Sequence, residues 1–337
     1  MSGPVPFARS LGKSGIKISP MGFGCWAIGG NFRFDGKPDG WGLVDDRESV
    51  RAIHHALDVG VNFFDTADAY GAGHSETVLG DALKGRRDRA VISTKFGFRY
   101  DSATKEVAGT DTSPAYARRA CEASLRRLGT DYIDLYLLHV GSVPQPVAED
   151  LADALDDLCR EGLIRSYGWS TWDPDCARLF ATRPNCAAVE HTLNVFDDAP
   201  AMLDVCRRHD LASINISPLA MGMLTGKFTA DSRLPADDVR GAGHEWVTYF
   251  DGGRPENTYL ERLDAIREIL TSDGRTLAQG ALAWIWARGE QTVPIPGFKS
   301  VRQAEENAGA LEHGPLTPRQ MAEIEELLER APADAGS

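Results

Sequence analysis

An apolar strand pattern and a helical pattern alternate about eight times along this chain, and that repetition constrains its fold more than any other feature. After a short strand near Gly22, the stretch from Asp46 carries Val50, Ile53 and Leu57 at helical spacing and stops at Gly60, a residue suited to a left-handed cap. The second strand runs over 61–65. Ser75 is expected to cap a helix bearing Val78, Leu79, Ala82 and Leu83, which leads into a strand over 91–95. Ser113-Pro114 supplies a cap and a first-turn proline for a helix with Ala117, Ala120, Cys121, Ser124, Leu125 and Leu128 on its apolar side. Its exit leads to a strand over 134–139. Leu151, Leu155 and Leu158 mark the fourth helix, closed by Gly162, and strand five covers 164–170. Asp173-Pro174 opens helix five, 187–192 is strand six, 201–209 helix six and 213–219 strand seven. Helical patterns over 259–270 and 277–287 precede strand eight, 292–296, and an eighth helix; a further helix from Pro318 to about Arg330 lies outside the count.

These units predict a single-domain (β/α)8 TIM barrel over 1–337, with a C-terminal extra helix and an N-terminal β-hairpin cap at 9–19, turning at Lys13-Ser14-Gly15. A doubly wound sheet is the competing architecture. The text Gly22-Phe23-Gly24-Cys25-Trp26-Ala27 matches a dinucleotide fingerprint, with Asp45 and Asp46 at nearly the expected distance. That fingerprint needs a helix opening inside the motif, whereas here a Gly-rich polar stretch runs to Gly42 and the next helix starts only near Asp46. Residues 228–255, rich in Gly, Asp and Pro, break the rhythm and are expected to form a long loop over the site.

Composition narrows the function. The formal net charge of -13 and pI near 5.1 exclude nucleic acid or an anionic membrane as the main partner. No long apolar run and no signal-peptide core after Met1-Ser2-Gly3-Pro4 are present, so a cytoplasmic protein is expected. The six cysteines lack Cys-x-x-Cys spacing and fit reduced thiols, and the eight histidines show no metal-ligand spacing, so no metal is implied.

Chemistry gathers at three successive strand ends. Val61, Phe63 and Asp65 share one face, delivering Asp65 inward, with Tyr70 on the loop beyond; the next strand ends in Lys95, and the following one in His139, on the face of Leu135 and Leu137. Singly, each has a plain structural role: a loop cap, a packing phenol, a counter-ion, a core histidine. Together they fall where a barrel collects its functional groups. A phenol with a pKa of about 10 is a poor acid or base near neutrality. A neighbouring ammonium stabilises its phenolate, a carboxylate holds that ammonium, and an imidazole polarises a carbonyl, which is acid–base machinery for carbonyl and alcohol interconversion.

At this point the sequence resembles the aldo-keto reductase superfamily from the hairpin to the eighth helix. The matching text is Phe64-Asp65-Thr66-Ala67 with Tyr70-Gly71, Thr94-Lys95, Tyr132-Ile133-Asp134-Leu135 with Leu138-His139, Ser217-Pro218-Leu219 with Leu224-Thr225-Gly226-Lys227, and Pro296-Gly297 with Glu306-Asn307. It is most similar to the bacterial branch of general stress proteins and inositol-related reductases, with a more distant likeness to potassium-channel β-subunits. The resemblance implies hydride transfer with a nicotinamide cofactor, NADP (NADPH), with NAD as a second candidate, on a small carbonyl or alcohol substrate, sugar-like ones included. Tyr70 would be the proton donor or acceptor, tuned by Lys95 and Asp65, with His139 orienting the carbonyl; Trp26, Tyr70 and His139 would line the substrate pocket. Cofactor contacts are implied for Gly24, Cys25, Trp26 and Asp65, for Ser170, Thr171, Glu190 and Ile216 around the nicotinamide, and for Ser217, Leu219, Gly222 and Lys227 along the pyrophosphate. Pro296, Gly297, Phe298, Lys299, Gln303, Glu306 and Asn307 would surround the adenosine end, with Lys299 on a 2'-phosphate. The β-subunit likeness offers a second function, a cofactor-sensing regulatory subunit.

Three positions depart from that pattern, where members often have asparagine at Thr171, glutamine at Glu190 and an aromatic residue at Ile216. An ionised Glu190 beside the nicotinamide would favour the oxidised, cationic ring. The alternative is a Glu190 that is protonated by burial or paired, for example with His191 or a lysine.

Overall fold

The computed structural model describes residues 8–329; the N-terminal Met1-Ser2-Gly3-Pro4 and the helix end expected at Arg330 lie outside them. Eight parallel strands surround one interior: β1 Gly22–Gly24, β2 Phe63–Asp65, β3 Val91–Phe96, β4 Ile133–Leu138, β5 Ile164–Ser170, β6 Cys186–Thr192, β7 Ala212–Ile216 and β8 Thr292–Pro294. Each pairs with its neighbours in chain order. A parallel bridge between Gly24 and Gly297 and the bond from Gly24 N to Pro296 O, 3.1 Å, bring the first strand back to the last. The ring so formed is the (β/α)8 TIM barrel that the alternation predicts, not a doubly wound sheet.

Strand period decides what faces the middle. Phe63, Val91, Leu135, Leu137, Ala188, Ile214 and Val293 fill the interior, while Phe64, Ile92, Tyr136, Leu138, Tyr167 and Trp169 face outward against the helices. A one-residue slip in any strand would exchange those sets, so the apolar pattern fixes the register. Val61 belongs to the outer shell, because regular strand begins only at Phe63 and the two-residue alternation does not reach it.

The helices are α1 Asp46–Asp58, α2 His74–Leu83, α3 Pro114–Leu128, α4 Gln145–Glu161, α5 Pro174–Ala181, α6 Pro200–His209, α7 Asn257–Leu270, α8 Leu277–Ala287, α9 Val301–Ala308 and α10 Pro318–Leu327. Asp45, Ser113 and Asp173 cap α1, α3 and α5 with their side chains, and Gly129 and Gly162 close α3 and α4 in the left-handed region. Ser75 is not a cap. The turn Gly71-Ala72-Gly73 is left-handed throughout, so Gly73 takes the cap position, two residues ahead of expectation. Ser75 is instead buried, with its hydroxyl donating to Cys25 O at 2.7 Å and lying 2.8 Å from Thr66 Oγ1, and it ties α2 to the ends of β1 and β2.

The hairpin, Arg9–Ser10 paired with Lys17–Ile18, presses Leu11 and Ile18 into the interior cluster, and Lys13 N donates to Asp210 O just before β7. It therefore plugs the amino end of the barrel, leaving the carboxyl end for chemistry. At that open end lies a four-stranded sheet with no counterpart in the sequence expectations, formed by Lys37–Pro38, Arg33–Phe34, Glu106–Thr110 and Phe98–Asp101 in that order. Residues 228–255 are a strap rather than a bare loop. It carries the small hairpin Phe250–Asp251 with Arg254–Pro255, buries Val239, Val247, Tyr249 and Phe250, and pairs with the loop after β1 through Val239 N to Gly40 O, 2.9 Å, and a Trp41–Asp238 bridge. The extra helix α10, opened by a Thr317–Gln320 capping box, packs on α7 and α8. Among the described residues no helix is long and apolar enough to cross a membrane.

Candidate active site

The Gly22-x-Gly24 text is strand β1, and only a single turn of 3-10 helix at Ala27–Gly29 follows it, so no helix N-terminus opens inside the motif. The site lies beyond, at the carboxyl ends of β2, β3 and β4. Asp65 ends β2 facing inward, and Lys95 reaches it from β3, its Nζ donating to Asp65 Oδ2 at 2.5 Å and to Thr66 O at 2.9 Å. The Tyr70 hydroxyl lies 3.4 Å from the same Nζ. His139, one residue past β4, turns its ring edge-on to Tyr70 at 5.7 Å between centroids, and its Nδ1 has no hydrogen-bond partner. The four residues named from the sequence are thus brought together.

A fifth group joins them. Glu190, near the end of β6, is buried, accepts from Ser170 Oγ at 3.0 Å and places Oε2 3.4 Å from Lys95 Nζ. Its partner is this lysine and not His191, whose ring nitrogens contact Ser213 Oγ at 2.8 Å and Thr192 O at 2.9 Å. One ammonium therefore stands between two carboxylates and a phenol.

Burial dominates the electrostatics. It pushes the Tyr70 phenol above its ordinary range; Lys95 pulls the other way, and Asp65 and Glu190 add to the rise. Lysine alone thus does not set the phenol's acidity. For Lys95 burial acts downward, but Asp65 and Glu190 overrule it and the net displacement is upward, so the ammonium stays charged. Burial, with Lys95, holds His139 well below its usual value, which keeps the imidazole neutral. Burial and then Asp65 raise Glu190 to about 8.

The walls are aromatic. Trp26 stacks on Tyr70 at 6.0 Å, Trp41 and Trp246 pack around Trp26 at 5.1 and 6.0 Å, and Phe98 packs on His139 at 5.0 Å. Cys25 does not share this space. Its thiol contacts Phe23 O at 3.7 Å within the outer core, where burial raises its pKa. Gly24 lies against β8, where a Cβ would meet Ile295 O at 2.9 Å.

The remaining residues implied for a cofactor form a second patch across the barrel mouth. Thr171 spends its hydroxyl on Gly141 O, 2.6 Å, and Ile216 packs on the interior cluster. The loop after β7 is left-handed at Ser217, Ala220, Met221 and Gly222, and Leu219 packs between two core clusters. The amides of Ala220 and Gly222 are bonded within the loop, to Ser217 O and Leu219 O at 2.8 Å. Pro296 and Gly297 lead from β8 to the start of α9, while Phe298 turns outward onto Phe23 at 5.1 Å. Gln303 accepts from Lys299 N at 2.7 Å, Asn307 donates to Gly297 O at 3.3 Å, and Glu306 O accepts from Gln279. Lys299 Nζ donates to Trp41 O at 2.7 Å.

Sequence reasoning missed Arg240, on the strap. It is buried, held by Asp238 at 2.7 and 2.8 Å, donates to Met221 O at 3.1 Å and lies over the Trp41 ring at 4.7 Å. Burial depresses the Lys227 ammonium, and the neighbouring cations Arg240, Lys299 and Arg302 depress it further against the single opposing carboxylate of Asp238. Four cations against one anion at the mouth of a barrel favour a polyanionic ligand. The only sequence signal for Arg240 is a charged run, Asp237-Asp238-Val239-Arg240, inside an otherwise structureless stretch.

The chain is similar to several known proteins over nearly its whole length. The aldo-keto reductase yakc [NADP(+)] of Schizosaccharomyces pombe is 31% identical over 323 residues, covering 93% of this chain and 89% of its own. The glycerol dehydrogenase AKR11B4 from Gluconobacter oxydans superposes with a TM-score of 0.82 at 28% identity, covering 98% of both chains. An aldo/keto reductase from Klebsiella pneumoniae, solved with NADP and acetate, superposes with a TM-score of 0.71 at 26% identity over 96% of each chain. The Aldo/keto reductase family profile matches residues 20–329, and the chain belongs to that family.

Proposed function

We propose that this protein is an NADP-dependent oxidoreductase that interconverts aldehydes or ketones with alcohols. The observation that carries the reading is the cluster of buried Lys95 and Asp65 with half-buried Tyr70 at the barrel mouth, with a neutral His139 beside the phenol. Bound NADPH supplies the hydride. The chain's residues do the rest: Tyr70 gives a proton to the carbonyl oxygen, His139 orients that oxygen, the Lys95 ammonium stabilises the phenolate as it forms, and Asp65 fixes Lys95. The cation patch of Lys227, Arg240, Lys299 and Arg302 fits the cofactor's phosphates. Two relatives named for or solved with NADP support the choice of cofactor.

The likeness to a glycerol dehydrogenase favours small polyol or sugar-like alcohols. Trp26, Trp246 and Phe98 supply apolar faces for such C–H surfaces around Tyr70 and His139. A panel of aldehydes, ketones, polyols and sugars, read by NADPH absorbance in both directions, tests the reading. Cofactor binding with no turnover on any member would return the chain to the cofactor-sensing alternative.

The cofactor preference has its own test. Lys299→Ala should weaken NADP(H) by about tenfold and NAD(H) by less than about twofold, because it removes a charge aimed at a phosphate only the former carries. Fluorescence titration of both cofactors checks this, and equal losses would assign the preference to Lys227 or Arg240.

A further inference from the structure

We propose that Glu190 is the proton store behind Tyr70, a carboxyl that passes its proton through Lys95 to the phenolate left when a carbonyl is reduced. The inference rests on the reading of Tyr70 as proton donor and adds a residue to it. Its basis is the donor count of Lys95. An ammonium has three N–H groups. Two are committed, to Asp65 Oδ2 at 2.5 Å and Thr66 O at 2.9 Å. The third is contested, because Tyr70 Oη and Glu190 Oε2 each lie 3.4 Å from Nζ. The Ser170 hydroxyl pins the other Glu190 oxygen at 3.0 Å, leaving Oε2 buried between Lys95 and the Asp65 carboxyl, with which a proton on Glu190 is shared. Tyr70, Lys95 and Glu190 thus form one line of exchange, with Lys95 and Glu190 buried and Tyr70 half-buried at the barrel mouth.

Charge determines where the proton rests. The groups facing Glu190 are Asp65 from β2, Tyr70 from the loop beyond it, Lys95 from β3 and the neutral hydroxyl of Ser170 from β5; the neutral ring of His139 stands next to Tyr70. Two buried carboxylates cannot both ionise cheaply against one ammonium, and the one with the weaker contact keeps the proton. Asp65 has the shorter contact with Lys95, so the proton resides on Glu190. The rise of its pKa to about 8, caused first by burial and then by Asp65, agrees with that placement.

The transfers balance. As hydride bonds to the carbonyl carbon, the Tyr70 O–H breaks and the alcohol O–H forms. The phenolate takes a proton from the Lys95 ammonium, and the amine so formed takes the proton of the Glu190 carboxyl. The site is then left with two carboxylates on one ammonium until solvent returns a proton after product leaves. Alcohol oxidation runs the same transfers backward, filling Glu190.

Infrared difference spectroscopy of the wild type against Glu190→Gln, without cofactor, between about pH 6 and about pH 9, reads the store directly. A protonated-carboxyl band that is present at the acid end, lost near pH 8 and missing from the variant is the expected result. Its absence from the wild type at the acid end overturns the proposal. In turnover, the fall in carbonyl reduction near pH 8 should disappear in Glu190→Gln and persist in Glu190→Asp, which keeps a carboxyl. The same fall persisting in the Gln variant also overturns it. A wild type that carries the titrating band but reduces no carbonyl refutes the enzymatic reading instead, so the two failures are distinguishable. Thermal unfolding of both variants guards against a folding defect, and should the Gln variant not fold, a displaced band in Glu190→Asp gives the same assignment.

Discussion

Tyr70→Phe is expected to lower turnover on the best carbonyl substrate by about 10²- to 10⁴-fold while the dissociation constants of NADP(H) stay within about threefold. The substitution removes one oxygen and nothing else. The ring keeps its stack on Trp26 and its edge contact with His139, so the aromatic wall survives. The hydroxyl's neighbour, Lys95 Nζ, remains held by Asp65 and Thr66, so no buried charge is stranded and stability should change by less than about 1 kcal/mol. Loss of the proton donor alone therefore accounts for the effect. Single-turnover rates with bound NADPH, alongside fluorescence titration of the cofactor, separate the two terms. An unchanged kcat would remove Tyr70 from the chemistry, and a matching loss of cofactor affinity would make it a binding residue.

How much of this was legible beforehand depends on the range of the interactions. Helices and barrel strands are written in local period and local caps, so the patterns around Ile53 and Leu57, Leu151 and Leu155, or Leu135 and Leu137 give element type and face directly. Asp65, Lys95 and His139 are legible for the same reason, since each lies at or within one residue of a strand end, in step with its inward face. The four-stranded sheet at the mouth was not, because Arg33 pairs with Glu106 across the chain and its strands of two to five residues carry no period of their own. The cap at Ser75 failed on turn chemistry, since two glycines flanking Ala72 permit a left-handed entrance that the serine rule does not anticipate. Arg240 and the Lys95–Glu190 contact are tertiary facts. The sequence leaves a carboxylate at Glu190 with several possible partners, and only the barrel's closure selects Lys95 over the adjacent His191.

That closure makes Lys95 a structural element as well as a chemical one, and Lys95→Met should show it. Methionine keeps most of the lysine stem's volume but deletes the ammonium on which Asp65 and Glu190 converge. Removing one partner of a buried ion pair leaves an uncompensated charge and typically costs about 3–5 kcal/mol. Here two carboxylates lose the same cation, so the effect belongs in the upper part of that range where both would be ionised. The loss must depend on pH. Without the ammonium both carboxyls titrate, when folded, above their unfolded values, so the folded variant binds more protons than the unfolded chain across that interval and its stability falls as pH rises. In the wild type Lys95 is charged throughout, its pKa displaced upward, and Glu190, raised to about 8, already gives a fall of the same sign; the two proteins diverge because only the wild type keeps an ammonium to offset each carboxylate as it ionises. The stability difference between the proteins should accordingly be small near pH 5 and largest near pH 8.5, by about 3 kcal/mol or more in urea unfolding. Equal destabilisation at both pH values would show that packing around the lysine stem, and not its charge between two acids, is what the barrel requires.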